Sequence, residues 1–140
     1  MDAPRFIADE NVGKLGRYLR RLGFDTALFG GGSDRDMVQQ ALTEGRIILT
    51  RDTRIAGYGA ALSGRVRVLT FASDNPRRQL DRLMDMLDLA ARQRPFSRCL
   101  ECNAVLEERT PPEVAGRVPP YVLATQQRFM ECPACSRLYW

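Results

Sequence analysis

Two short apolar runs in this chain each stop at an acid. Phe6-Ile7-Ala8 leads into Asp9-Glu10-Asn11, and Ile47-Ile48-Leu49-Thr50 leads into Arg51-Asp52. Both runs are β-branched or aromatic-rich and too short for a helix, which predicts buried strands. Ligands of an open parallel sheet bind just beyond the carboxyl ends of its strands. Strand ends carrying Asp9 and Asp52 would therefore place two carboxylates in one cleft. Their repulsion is costly unless a cation or a proton lies between them. This is the outline of a site for a hard metal ion. The chain has no histidine, which excludes imidazole bases, phosphohistidine chemistry and histidine-ligated metals. A hydrolase built on it must use carboxylates and a metal-activated water.

The second constellation is made of sulfur. Cys99-Leu100-Glu101-Cys102 and Cys132-Pro133-Ala134-Cys135 are C-x-x-C knuckles. Each such knuckle folds back to aim two thiolates at one ion, and a pair of them completes the tetrahedral shell of zinc with no open position. The spacing predicts a structural Zn²⁺ on Cys99, Cys102, Cys132 and Cys135, although the stretch between the knuckles, residues 103–131, is longer than usual. Disulfides do not suit a cytosolic chain, and a redox C-x-x-C would not come in pairs.

A chain of 140 residues has room for one core, or one core plus a small stapled module. Its 44% hydrophobic and 27% charged content exclude a disordered protein. No apolar run approaches the roughly 20 residues of a membrane span, and the start lacks the order of a signal peptide. The expectation is a cytoplasmic protein with no membrane partner. The net charge of +4 mildly favours a polyanion. Residues 1–94 hold sixteen basic and twelve acidic side chains, and residues 95–140 hold five of each. Lys14 is the only lysine. Arginine grips phosphate with a fork and stacks on bases, so the bias suits RNA, although a GC-rich coding sequence produces the same bias.

These groups need elements to position them. After the first strand, Val12, Leu15, Leu19 and Leu22 recur at helical spacing, with Lys14, Arg17, Arg20 and Arg21 on the opposite face and Gly23 as a stop. Asp25–Phe29 reads as a second strand, followed by the turn Gly30-Gly31-Gly32. A helix follows from Ser33 to Gly45, then a strand over 46–50, a short helix over Thr53–Leu62 and a strand over Val66–Phe71. Pro76 suits the first turn of a last helix, whose Leu80, Leu83, Met84, Leu87 and Ala91 form one stripe. Alternating strands and helices predict an α/β fold, a parallel sheet with helices on both faces. The pattern breaks at Arg94-Pro95, so the expected domains are 1–94 and 95–140, the latter a small zinc ribbon without a helical stripe.

Among the acids, Asp9 and Asp52 are favoured by their strand ends. Asp34 and Asp36 open a helix, where Ser33 with Asp36 also reads as a capping box. Asp74 or Asn75 could likewise only cap the helix that begins at Pro76.

The segments F-I-A-D-E-N, G-K-L-G-R-Y-L-R-R-L-G-F-D, S-D-R-D-M-V-Q-Q-A and R-I-I-L-T-R-D, with both C-x-x-C pairs and the closing Leu138-Tyr139-Trp140, resemble the Mut7-C ribonuclease domain. The resemblance runs from Phe6 to Trp140. It implies a PIN-like nuclease fused to a carboxy-terminal zinc ribbon, with Mg²⁺ or Mn²⁺ held at the sheet's carboxyl edge. By position, Asp9 matches the first acid of that pattern, Asp34 the helix-borne acid and Asp52 the last, with Asp36 as an auxiliary. The pattern usually has a further acid, for which only Glu10 or Asp25 is available. Family members also commonly continue past Tyr-Trp with a Gly-Ser-His tail, absent from this sequence.

The leading expectation is thus an endoribonuclease acting on single-stranded or structured RNA, its backbone held by Lys14, Arg17, Arg20, Arg21, Arg51 and Arg54. The second is a non-catalytic RNA- or ribosome-binding module. The third is a phosphoacceptor receiver domain with Asp9-Glu10 as acidic pair, Asp52 as acceptor and Thr70 as switch. That fold needs a lysine after a fifth strand, and Lys14 lies in the wrong element.

Overall fold

The computed structural model describes residues 3–140. Strands β1 (Phe6–Ala8), β2 (Thr26–Leu28), β3 (Ile47–Thr50) and β4 (Val68–Thr70) form a parallel sheet in the order β2-β1-β3-β4. The period of two along each strand divides the core. Phe6, Ala8 and Leu49 face one side with Leu15 and Leu19 of α1 (Gly13–Arg21) and Leu83 of α4 (Pro76–Met86). Ile7 and Ile48 face the other, with Met37, Val38 and Ala41 of α2 (Asp34–Glu44) and Ala60 of α3 (Gly59–Leu62). Burial on both faces explains why the strands read as unbroken apolar runs. The chain steps from β1 to β2 on one side, then returns through α2 to β3 on the other. The order reverses between β1 and β3, where an open α/β sheet opens a crevice at its carboxyl ends. Because the described parallel sheet has four strands, the fifth strand of a receiver domain is missing and that reading falls.

Local chemistry sets the helix ends. The Ser33 hydroxyl accepts from the Asp36 N–H and the Asp36 carboxylate accepts from the Ser33 N–H, so the expected capping box is formed. At α4, Asn75 Oδ1 accepts from the N–H groups of Arg77 and Arg78. The structure differs from the sequence expectation further along. Helix α4 ends at Met86, Asp88 turns the chain at φ 51, and Leu89 rather than Ala91 fills the core. The helix expected over 53–62 is a 3₁₀ turn, Ile55–Gly57, separated from α3 by an extended Tyr58. Gly16 marks the close approach of α1 to the sheet, since a Cβ there would lie 2.9 Å from the Ala8 Cβ.

The tail carries the antiparallel strands β5 (Glu107–Arg109), β6 (Phe129–Glu131) and β7 (Leu138–Tyr139). Between β5 and β6 lie two short helices where no helical stripe is expected, α5 (Pro111–Val114) and α6 (Pro120–Thr125). Their prolines sit at first helical positions, where the missing N–H costs nothing. Val114, Val118 and Val122 pack with Phe129 in a small core of their own.

Arg20 corrects an expectation. Placed by its spacing on an exposed basic face, it is 6% exposed. Its Nε donates to the Thr26 carbonyl, and its Nη1 donates to the carbonyls of Leu100 and Glu101 inside the first cysteine knuckle. Arg17 pairs with Glu101 at 2.7 Å. Asn103, at φ 66, accepts from the Thr26 N–H and donates to Asp25. Arg98 donates to the Gly23 carbonyl, where φ is +93 and a side chain would collide with Arg94. The knuckle is therefore bound to the outer edge of β2. No helix among the described residues is long and apolar enough to cross a membrane.

Arg20→Met keeps the aliphatic stem of the side chain but leaves the buried Thr26 carbonyl and the part-buried carbonyls of Leu100 and Glu101 without their donor. It is expected to lower the unfolding free energy by about 2–3 kcal/mol, read from urea denaturation followed by circular dichroism.

Candidate active site and metal centre

At the reversal point, β1 and β3 end side by side. The Asp9 N–H donates to the Leu49 carbonyl at 2.9 Å, which draws the two strand ends together. The Asp9 side chain caps the 3₁₀ turn Glu10–Val12, with Oδ1 accepting from the Glu10 N–H at 2.8 Å. Its Oδ2 accepts from the Thr50 hydroxyl at 2.7 Å. The same hydroxyl oxygen accepts from the Asp52 N–H at 3.0 Å. One fully buried threonine thus joins the two acids that the strand pattern singled out. Asn11 completes the link, its Oδ1 accepting from the Arg51 N–H. The strand pattern singles out neither Thr50 nor Asn11, although both lie inside the motifs next to the acids.

Asp52 is answered by Arg54, whose Nε, Nη2 and backbone N–H all donate to its carboxylate. Those bonds from the Arg54 side chain and backbone pull the Asp52 carboxyl down to about 2. Asp34 stands in the first turn of α2 and adds to the field that raises the Arg54 guanidinium above its usual value, after Asp52 itself. Asp36 is committed to the capping box. Among the described residues no three carboxylates bring oxygens within 4.8 Å of one another. Asp25 sits at the opposite end of the sheet from Asp9, bound by Arg46 and Asn103, so it is no candidate for a further site acid. Glu10 lines a cleft of about 520 Å³ beside the acidic edge, together with Asn11, Lys14, Arg17, Asp74 and Gln79.

The arginines separate into distinct groups. Arg17 and Arg20 serve the knuckle, and Arg21 lies over the Tyr18 ring at 5.5 Å. Arg54 closes on Asp52, while Arg51 donates through Nη2 to the Ala72 carbonyl and stays exposed.

In the tail, the Sγ atoms of Cys99, Cys102, Cys132 and Cys135 all lie within 4.8 Å of one another. Cys99 and Cys135 are 3.7 Å apart, close to the edge of about 3.8 Å of a tetrahedron with Zn–S bonds of ~2.3 Å. All four cysteines are free thiols. The backbone N–H and the guanidinium of Arg137 draw Cys135 down to about 6, and Cys135 in turn pushes Cys102 up to about 12. The thiols therefore resist ionising together without a cation, whereas a zinc ion would supply the charge that holds four thiolates at this spacing. Tyr139 accepts from the Leu100 N–H and bonds Cys99 Sγ at 3.0 Å, bracing the knuckle from behind.

The sequence matches the Mut7-C RNAse domain over residues 4–140, essentially its whole length. The chain belongs to that family. No curated protein and no solved structure gives a match. Membership of the Mut7-C RNAse domain family assigns the chain a nuclease-type, RNA-related role. The four-cysteine cluster adds a centre that can bind zinc.

Purified protein is expected to contain about one zinc per chain by elemental analysis, and Cys102→Ser to lose it. Arg54→Ala should return the Asp52 carboxyl toward its unperturbed value of about 3.9, read by carbon NMR titration. Because the folded value lies below that of the unfolded chain, the pair stabilises the fold above about pH 4. That contribution should fade as pH falls toward about 2, and should be missing in Arg54→Ala.

Proposed function

We propose that this Mut7-C chain is a metal-dependent endoribonuclease that hydrolyses phosphodiester bonds in single-stranded or structured RNA. The observation that carries the reading is the Thr50 hydroxyl joined to both Asp9 and Asp52 at the sheet's reversal point. Asp9, Asp34 and Asp52 would hold Mg²⁺ or Mn²⁺. Such ions keep several waters and take one or two carboxylates plus substrate phosphates. A looser set of acids than a closed cage therefore fits them. When bound, the metal polarises the phosphate and lowers the pKa of a water.

The protein's own groups do the remainder. Thr50 fixes the Asp9 carboxylate by donating to it, so that Asp9 needs no reorganisation to bind a cation. Arg54 keeps Asp52 ionised down to acid pH. Asp36 serves the start of α2, and Lys14 stands at the mouth of the cleft to meet phosphate. The cysteine centre takes Zn²⁺ as a structural ion. Residues 1–94 and 95–140 act as a nuclease unit and a zinc ribbon. The free thiols suit a reducing, cytoplasmic setting.

A second reading, an RNA- or ribosome-binding module that does not cut, draws on the Asp52–Arg54 pair, which already neutralises one acid. Cleavage of labelled RNA tells them apart. Asp9→Asn should reduce Mn²⁺-dependent turnover by about a hundredfold or more, beyond the effect of losing an outer-shell group, with an unchanged circular dichroism spectrum. RNA bound tightly but left whole by the unmodified protein with either metal would favour the second reading. Asp36→Asn should cost far less.

A further inference from the structure

Most arginines near the acidic edge are occupied: Arg17 by Glu101, Arg54 by Asp52, Arg77 by Asp81. Arg35 at the start of α2 and three exposed ones toward β4 and α4 have no such carboxylate partner among the described residues. Arg51 donates through Nη2 to the Ala72 carbonyl at 2.9 Å. Arg82 donates through Nη1 to the Thr70 carbonyl at 3.1 Å and lies over the Phe71 ring. The two guanidinium groups are thus fixed two residues apart on the segment that leaves β4. Each spends one N–H on a backbone oxygen and keeps the rest of its fork free. Arg78 is one helical turn before Arg82, on the same face of α4.

Two costs of that arrangement fall on the free protein. Like charges four residues apart on a helix repel. Holding two long side chains over backbone carbonyls also removes rotamer freedom. A polyanion reverses both terms, since phosphates neutralise the repulsion and find the forks already oriented. The location is apt, because Arg51 directly follows Thr50 and its N–H bonds Asn11 beside Asp9.

We infer that Arg51, Arg78 and Arg82 form a phosphate-binding rail for the RNA backbone, leading from the acids at β1 and β3 across the start of α4. The inference rests on the ribonuclease reading and adds to Lys14 a grip at Arg51 and on α4, in place of Arg17, Arg20 and Arg21 of α1. The rail binds the sugar–phosphate chain without reading bases.

The test uses the full chain carrying Asp9→Asn, to prevent cleavage, and fluorescence anisotropy of a labelled single-stranded RNA at several salt concentrations. Arg78→Gln with Arg82→Gln should weaken binding alike for different sequences. The pair should also lower the salt slope by about 1.4, at roughly 0.7 per lost contact, and Arg51→Gln should lower it by about 0.7. Arg65→Gln with Arg67→Gln removes the same charge at the amino end of β4, where both residues are exposed, and should leave the slope near that of the parent. The Arg78/Arg82 variant should keep the circular dichroism spectrum of its parent, so that a lost contact is told apart from a lost fold. Arg82→Lys, which retains the charge without the fork, should lose affinity with little change in slope. An unchanged slope in the Arg78/Arg82 variant, or an equal loss in the Arg65/Arg67 variant, would overturn the rail while leaving RNA binding intact. No binding of RNA by the parent would overturn the rail and the ribonuclease reading together.

Discussion

The buried guanidinium of Arg20 is the constraint on which the two sheets depend. A permanent charge at 6% exposure persists only if its donors are met. Here Nε is met by one carbonyl of β2 and Nη1 by two of the cysteine knuckle. Burial holds this guanidinium below its usual pKa, with Arg17 adding to the effect. Neither sheet can shift relative to the other without leaving that charge short of acceptors. Asn103 and Arg98 strengthen the union with further bonds to Thr26, Asp25 and Gly23. The knuckle carbonyls in turn are placed by the cysteines on either side of them, so the cysteine cluster and the parallel sheet share one hydrogen-bond network.

At the other end of the sheet the same economy operates with a single hydroxyl. Thr50 has one proton and two lone pairs. The proton goes to Asp9, and a lone pair receives the Asp52 N–H. Two carboxylates of like charge are thereby kept at neighbouring strand ends, one steadied by a donor and the other by Arg54. The repulsion expected of paired acids is managed by local partners. That makes the acidic edge compatible with a stable fold.

The parallel sheet was legible because its strands are buried on both faces, so hydrophobic runs and strand bounds nearly coincide. The cysteine pairs were legible because four soft ligands at that spacing have few alternative uses. The capping box at Ser33 and Asp36 was legible from two residues alone. Long-range partners could not be read. Nothing in the helical period of α1 separates Arg20 from Arg21, because burial of Arg20 is decided by a tail eighty positions away. Likewise, Leu89 displaces Ala91 from the core because Asp88 adopts a left-handed turn, which short-range pattern does not encode. The one-turn helices at Pro111 and Pro120 are too short to leave a stripe.

Strand β2 lies at the margin of its sheet, and β4 at the other. A margin strand offers open backbone groups to any other chain that can pair with it. On β4 the flanking Arg65 and Arg67 are exposed charges that discourage such pairing. On β2 the Thr26 N–H and carbonyl are covered instead by Asn103 and Arg20. The cover arrives late, because a ribosome delivers β2 long before residues 99–103. During synthesis the emerging sheet carries an open, sticky margin that is sealed only when the last third of the chain appears and its knuckle closes. Protection of that margin is therefore set by the order of translation, because the side chain that caps the Thr26 N–H lies at Asn103.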